Sequence, residues 1–371
     1  MRSQHWTRPL TLALVAAALT GCESNTGPDD PQTFDAELAL ADYEALEAIL
    51  GSSSMAGFRA MAAGVTFLGG NEAELAMAMA STLEAPADPE SAPAFAGRMA
   101  ELASQAGLET ARNPIISVFR RGKTFVYDSN LNRYVMDPEL EGAPETGVRF
   151  ILYSPAGNGR PDPSDPVGHA DLIDLGDTSE EEISLRLVVV EGLVPPGDTI
   201  LDYRATLDVM QQGGTVAVNG FLRGDQHQLD FDVQVQGSEQ PGLATMDVSF
   251  TLGISSLDFL ITGLVTGVED GSGELGQVEL TVRHGTDASF QVDVEGSETM
   301  ISGTFQLNGE LFASVSGHPD TPVFTGASGG PLTLLEALVL RQMVDSAEDV
   351  FDLFEDLLDP MDELILLALI L

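Results

Sequence analysis

Apolar and polar positions divide this chain into helical ends and a long stretch that alternates with a period of two. The stretch Leu229-Asp230-Phe231-Asp232-Val233-Gln234-Val235-Gln236 alternates without a break. In an extended strand this puts Leu229, Phe231, Val233 and Val235 on one face and the Asp and Gln residues on the other. Met246, Val248, Phe250 and Leu252 repeat the pattern, as do Val278, Leu280 and Val282, then Phe290, Val292 and Val294, and earlier Leu201, Tyr203, Ala205, Leu207 and Val209. Turn signals separate these runs: Gly213-Gly214, Gly224-Asp225, Asp270-Gly271 and Gly285-Thr286-Asp287. The spacing predicts roughly ten to thirteen strands between residues 114 and 325, joined as up-and-down antiparallel hairpins. With no helical crossovers between strands, a parallel sheet is not expected.

The period is helical on either side. Leu38, Ala41, Ala45 and Ile49 stand at helical spacing in 34–50, which ends at Gly51. Two more helical segments are predicted: 72–84, where Asn71 with Glu74 forms a capping box, and 93–107. At the other end Thr333 with Glu336 caps a helix after Pro331, and Ser346 with Asp349 caps a second. That second helix carries Val350, Phe354, Leu357 and Leu358 on one stripe and acids on the rest; the chain then ends in an apolar run, 364–371. That run is too short to span a bilayer.

The predicted fold class is therefore α+β and mainly antiparallel β: a long meander, curved or half-barrel, with helices at both ends covering its apolar face. A two-sheet sandwich and a transmembrane barrel are the alternatives. The barrel fits poorly, because the sole tryptophan is Trp6 and the five tyrosines are scattered. The expected divisions are 1–21, a signal peptide; 22–32, a tether; 33–112, a helical segment; 113–326, the β domain; and 327–371, C-terminal helices packing on the sheet.

Charge and cysteine content narrow the chemistry. The 371 residues include 58 acidic and 16 basic ones, a net charge of −42, with one cysteine. One cysteine makes no intramolecular disulfide, zinc ribbon or CxxC pair. So acidic a chain has no electrostatic footprint for nucleic acid, and no nucleic-acid partner is expected.

The first residues explain the cysteine. Arg2 and Arg8 precede an apolar stretch, Leu10 to Leu19, and then comes Leu19-Thr20-Gly21-Cys22. This resembles a bacterial lipobox, the cleavage and lipidation signal of secreted lipoproteins. The resemblance implies cleavage before Cys22, acyl chains on that residue, and membrane attachment through them; each buried CH₂ contributes about 0.8 kcal/mol, and several chains hold stably. Glu23 follows the cysteine, where in Gram-negative sorting an aspartate would favour the inner membrane, so the resemblance implies the outer membrane, on its periplasmic or surface face. At fold level alone, the β body resembles the half-barrels of periplasmic lipoprotein carriers.

Catalytic and metal motifs are weak. Gly326-Ala327-Ser328-Gly329-Gly330 matches G-x-S-x-G, but no histidine follows Ser328, and the segment is expected to link a strand to a helix. Gly271-Ser272-Gly273-Glu274-Leu275-Gly276 matches G-x-G-x-x-G but precedes a strand, so it is expected to be a hairpin turn. Arg112, Arg120, Arg121 and Lys123, the one lysine, form the basic cluster, expected in a turn that pairs with acidic surface. His169, His227, His284 and His318 fall in separate segments. The best cation candidate, for calcium, is Asn158, Asp162 and Asp165 in a proline-rich loop. No catalytic residue and no cofactor is expected. The expected role is that of a lipid-anchored envelope protein with a structural or protein-interaction function. The alternative is a carrier with a hydrophobic ligand, lipid or lipoprotein, between sheet and helices.

Overall fold

The computed structural model describes residues 116–340, apart from 158–159, 177–182, 193–196, 211–212, 241–242, 271–272, 285–287, 298, 320, 335 and 339, together with Ala41, Ala45, Ala48 and Ile49. Fifteen strands run in chain order. β1 is Lys123–Asp128, β2 Arg133–Asp137, β3 Gly147–Pro155, β4 Pro161–Asp174 and β5 Ile183–Glu191. β6 is Asp198–Met210, β7 Gly213–Arg223, β8 Gln228–Gln240, β9 Leu243–Ile254 and β10 Phe259–Asp270. β11 is Gly273–His284, β12 Ala288–Ser297, β13 Met300–Leu307, β14 Glu310–His318 and β15 Thr321–Gly326. All belong to one sheet, ordered β15 to β3 by sequence and then β1 and β2. The sheet has two free ends, β2 and β15, and is open rather than closed into a barrel.

The alternation sets the register. A slip of one residue would turn every apolar side chain of a strand to the other face. Leu229, Phe231, Val233 and Val235 of β8 are buried, and each sits beside a buried partner: Leu229 opposite Leu222, and Phe231 opposite Leu252. The intervening Asp230, Asp232, Gln234 and Gln236 are exposed. The same holds from Val148 on β3 to Val315 on β14, giving one continuous buried apolar face. Burying each such side chain contributes about 1.5–3 kcal/mol.

Glycines interrupt this face where side chains from non-adjacent strands must meet. Gly220 of β7 pairs with Tyr203 of β6 on one side and Phe231 of β8 on the other. Their rings lie 6.3 Å apart, centre to centre, above it. Strands two apart stand about 9.6 Å from each other, so only a missing side chain between them allows this contact. Gly263 of β10 does the same between Phe250 and Leu280, and Gly303 of β13 between Val294 and Val315.

The structure departs from the expected organisation in four places. Fifteen strands form instead of ten to thirteen. One parallel pair exists, β1 with β3, because the β1–β2 hairpin folds outwards and the chain crosses back over β1 to start β3. The proline-rich segment is not a loop: Pro161 begins β4, and its prolines fall where the ladder to β3 shifts register, around Tyr153, Pro155 and Pro166. A bulge spares the backbone donor that proline lacks. Gly213-Gly214 opens β7 rather than forming its turn.

Helical residues among those described are Ala41, Ala45, Ala48 and Ile49 at one end and Leu334, Glu336 to Leu338 and Leu340 at the other. Ile49 and Leu340 are buried. The cap at Thr333 is formed as the sequence predicts: Thr333 N–H donates to Glu336 Oε2 at 2.8 Å, and Glu336 N–H donates to Thr333 Oγ1 at 3.2 Å. The signal and lipobox, the tether, the segments 72–84 and 93–107, the helix capped by Ser346 and the apolar run 364–371 lie outside the described residues.

Candidate functional site

Three regions carry chemistry: the buried face, the exposed outer face, and a cleft at one hairpin end. On the buried face the largest wholly enclosed side chains are Tyr134, Tyr203, Phe125, Phe150 and Phe305. Phe125 and Phe150 stack at 5.2 Å across β1 and β3, and Tyr134 meets Phe150 edge-on at 5.6 Å. Tyr134 O–H donates to the Ile151 carbonyl at 3.0 Å. Burial pushes the Tyr134 phenol far above its ordinary range, so it stays a neutral donor. At the other end of the sheet Phe290, Phe305, Phe312 and Phe324 form an aromatic cluster. Phe312 stands at the bulge opposite Phe305 and Gln306, where its carbonyl accepts from Ala327 N–H at 2.9 Å.

The outer face divides by charge. On β3 to β6 two carboxylates, Asp171 and Asp202, meet arginines. Arg149 holds Asp171 through two hydrogen bonds of 2.7 Å, and Arg186 holds Asp202 through bonds of 2.7 and 2.6 Å. Such paired donors match a carboxylate's geometry. The bond from Asp202 raises the Arg186 guanidinium above its usual value. His169 lies 3.9 Å from Asp171. Its own burial, then the nearby Arg149 charge, hold its imidazole below the ordinary value, against a smaller upward pull from Asp171. On β8 to β12, Asp230, Asp232, Asp247, Glu279, Asp293 and Glu295 are all exposed. Residues 224–340 contain seventeen acidic residues and one basic one, Arg283, whereas 116–223 contain seventeen acidic and nine basic.

The cleft, about 400 Å³, lies between the β7–β8 turn and the 3-10 turn Ser255–Leu257. Arg223, Asp225, His227, Asp230, Ser255 and Ser256 help to line it. His227 Nδ1 is 2.8 Å from Ser256 Oγ, and Gln228 Nε2 donates to Asp230 Oδ1 at 2.8 Å. Ile49 packs against Gly224 of this turn, where an added Cβ would come within 3.1 Å of the Ile49 Cα. The cleft therefore offers hydrogen-bond donors and acceptors on a held frame.

The residues singled out by sequence fall apart in space. Ser328 is exposed in a turn closed by Gly326 N–H to Gly330 O and Gly329 N–H to Gly326 O, which leads from β15 towards the helical residues. Asp270 pairs directly with Gly273, so the G-x-G-x-x-G match is a hairpin. Arg121 does more than pair at the surface: it reaches the buried Asp174 at 3.0 Å, and Ile116 N–H shares that carboxylate. Lys123 begins β1; Arg112 lies outside the described residues. His169, His227, His284 and His318 stand on four different strands or turns, and the described residues hold no group of three or more metal-ligating side chains. Of the calcium candidates, Asn158 lies outside the described residues; Asp165 is exposed; Asp162 accepts from Ser164 N–H at 2.9 Å and Ser164 Oγ–H at 2.6 Å. Those bonds hold the Asp162 carboxyl below its usual value. Cys22 and its motif, Leu19, Thr20 and Gly21, lie outside the described residues.

The Arg149–Asp171 and Arg186–Asp202 pairs and the His227–Ser256 contact were not legible in sequence, since each needs the register between strands. Sequence reasoning missed the Asn308-Gly309 turn, although the Asn-Gly pair is its signal: both residues have positive φ, as a tight hairpin between β13 and β14 requires. Comparison with known proteins gives no footing beyond this geometry: no protein family, no curated protein and no solved structure matches the chain.

Proposed function

We propose that this chain is a lipid-anchored protein of the bacterial cell envelope whose β body is a non-catalytic scaffold for protein interaction. The observation that carries the scaffold reading is the division of the outer face. One sector pairs two of its carboxylates, Asp171 and Asp202, with arginines and is richer in basic residues, and the other leaves its carboxylates open to a partner. The lipobox-like Leu19-Thr20-Gly21-Cys22 supports the anchor, and Glu23 supports the outer membrane. So negative a body would not stay at an anionic membrane unaided, which gives a covalent anchor a physical purpose. Mass spectrometry of the N-terminal peptide, wild type against Cys22→Ser, tests the anchor; an unmodified wild-type Cys22 overturns it. Cross-linking in intact envelopes tests the scaffold; a chain captured only as a monomer overturns it.

A second reading, a carrier for a hydrophobic ligand, is favoured by the glycine-notched apolar face. Glycines at Gly220, Gly263 and Gly303 suit a sheet that curves about its apolar side. In this reading terminal helices cover the face, and the buried positions of Ile49 and Leu340 support that arrangement. Native mass spectrometry with lipid extraction decides: a purified chain without bound lipid sinks the carrier.

A further inference from the structure

We propose that the outer face of β9 to β12 is a docking surface for a basic protein segment that also presents apolar side chains. The inference rests on the interaction reading above and names the partner's chemistry.

Val268 and Leu275 face each other across β10 and β11, with 37% and 62% of their surface exposed. Leu264 lies on the same face of β10, one turn of the pleat beyond Thr266, and is 36% exposed. Apart from the exposed Leu243 at the start of β9, the outer positions around them are Thr, Ser, Gln and acids, so this stripe departs from the solvated pattern of the face. Carboxylates are threaded through it. Asp247 is opposite Thr266, Glu279 opposite Leu264, Asp293 opposite Glu279, and Glu295 opposite Gln277. Like charges directly across a ladder, as at Glu279 and Asp293, destabilise a sheet.

Among the described residues, the hydrogen bonds that these carboxylates receive come from neutral groups. Gln277 Nε2 reaches Glu279 at 3.0 Å and Asp293 at 3.4 Å, and Ser302 Oγ reaches Glu295 at 3.4 Å. Arg283 stands four residues from Glu279 along β11, about 14 Å away. Asp171 and Asp202, by contrast, each hold a guanidinium. The stripe therefore combines an apolar centre with uncompensated negative charge at spacings of one or two strands.

Charge selects the occupant. An anionic lipid surface is repelled. A second copy facing this one would bring the same carboxylates together. A segment with Lys or Arg flanking apolar residues gains on both counts, since it buries the stripe and supplies the missing cations.

The test uses the full mature chain and a Leu/Lys amphipathic helical peptide as probe, with two control peptides: Gln for Lys, and Ser for Leu. Titration calorimetry is expected to show binding to the Leu/Lys peptide that weakens as salt rises. The paired change Val268→Thr with Leu275→Ser is expected to weaken it about tenfold. Leu311→Ser, an exposed leucine on β14, is expected to leave it unchanged. Glu279→Gln with Glu295→Gln, nearly isosteric and safe for folding, is expected to weaken binding and flatten its salt dependence. Equal affinity for the Ser-for-Leu peptide, or unchanged affinity in the glutamine variant, overturns the proposal. Self-association through the patch, seen by sedimentation and abolished by Leu275→Ser, also overturns it. A Cys22 without acyl chains would overturn the anchor and leave this measurement intact; unchanged binding here would leave the anchor intact.

Discussion

The glycine notches predict opposite outcomes for chemically identical substitutions. A methyl added at Gly263 would fall 2.5 Å from the Phe250 Cε1 and 2.7 Å from a Leu280 methyl, with the Phe250 Cζ closer still. These are side-chain ends that can shift, so the cost is that of overpacking, about 1–3 kcal/mol. At Gly220 the methyl would meet backbone: Tyr203 Cα at 2.5 Å, and the Asp202 carbonyl oxygen nearer than that. Relief there requires the β6–β7 ladder to open, so Gly220→Ala is expected to cost about 3 kcal/mol or more. Gly253 points to the other face, and its nearest neighbour would be Leu260 Cδ1 at 3.5 Å, an ordinary contact. Gly253→Ala is expected to be neutral or to stabilise by up to about 1 kcal/mol, because it restricts the unfolded chain. Urea unfolding followed by far-UV circular dichroism reads all three. With an m-value of about 2–3 kcal/mol/M, the Gly220 variant should lose about 1 M in midpoint and the Gly253 variant essentially none. Equal midpoints for Gly253→Ala, Gly263→Ala and Gly220→Ala would refute the claim that the notches are required by close approach.

Other outcomes follow from single groups. Asp171→Asn should destabilise by about 1–2 kcal/mol, because it leaves the largely buried Arg149 without its paired acceptor; Asp202→Asn, at the more exposed Arg186, should cost under about 1 kcal/mol, and a double-mutant cycle separates the two. The folded His169 imidazole is held below its ordinary value, so the unfolded state binds more protons as pH falls through about 6.5. Stability from this residue is therefore complete above that pH and lost below it, and His169→Gln should flatten the urea midpoint between neutral and mildly acid pH; an unchanged slope argues against it. Tyr134→Phe should cost about 1 kcal/mol through loss of the bond to the Ile151 carbonyl, read by thermal unfolding. Thr333→Ala should speed amide exchange at Glu336 and Ala337 while leaving the sheet's exchange unchanged.

What could be read from sequence was whatever repeats locally. Leu229 to Val235, Met246 to Leu252 and Phe290 to Val294 each reveal their buried face by a period of two, and the structure buries those residues. Thr333 and Glu336 announced their cap through spacing alone. What sequence withheld depends on neighbours in space. Nothing near Arg149 predicts Asp171, twenty-two residues on, until the β3–β4 register is known. The strand beginning at Pro161 was hidden because proline argues against a ladder, and only the bulges near Tyr153 reconcile the two. The parallel contact of β1 with β3 was hidden because a nine-residue connection, 138–146, leaves its direction open. The candidate docking stripe was visible as letters but not as a stripe, since Val268 and Leu275 meet only through the β10–β11 turn.

From β4 to β14 every strand pairs with the strands before and after it in sequence, and this order has a consequence for how the molecule is made. Each hairpin closes a short loop, so the entropy lost at each step is small and the new pairings join residues close in sequence. A chain appearing from its N-terminal end can add one hairpin at a time to an edge already in place, with no distant strand to wait for. The stability of such an array approaches a sum over neighbours, as in repeat proteins. Loss of β14 and β15 should then shorten the sheet rather than unfold it. The exception is β1, which must be held aside until β3 arrives, and it makes that end the step at which assembly waits.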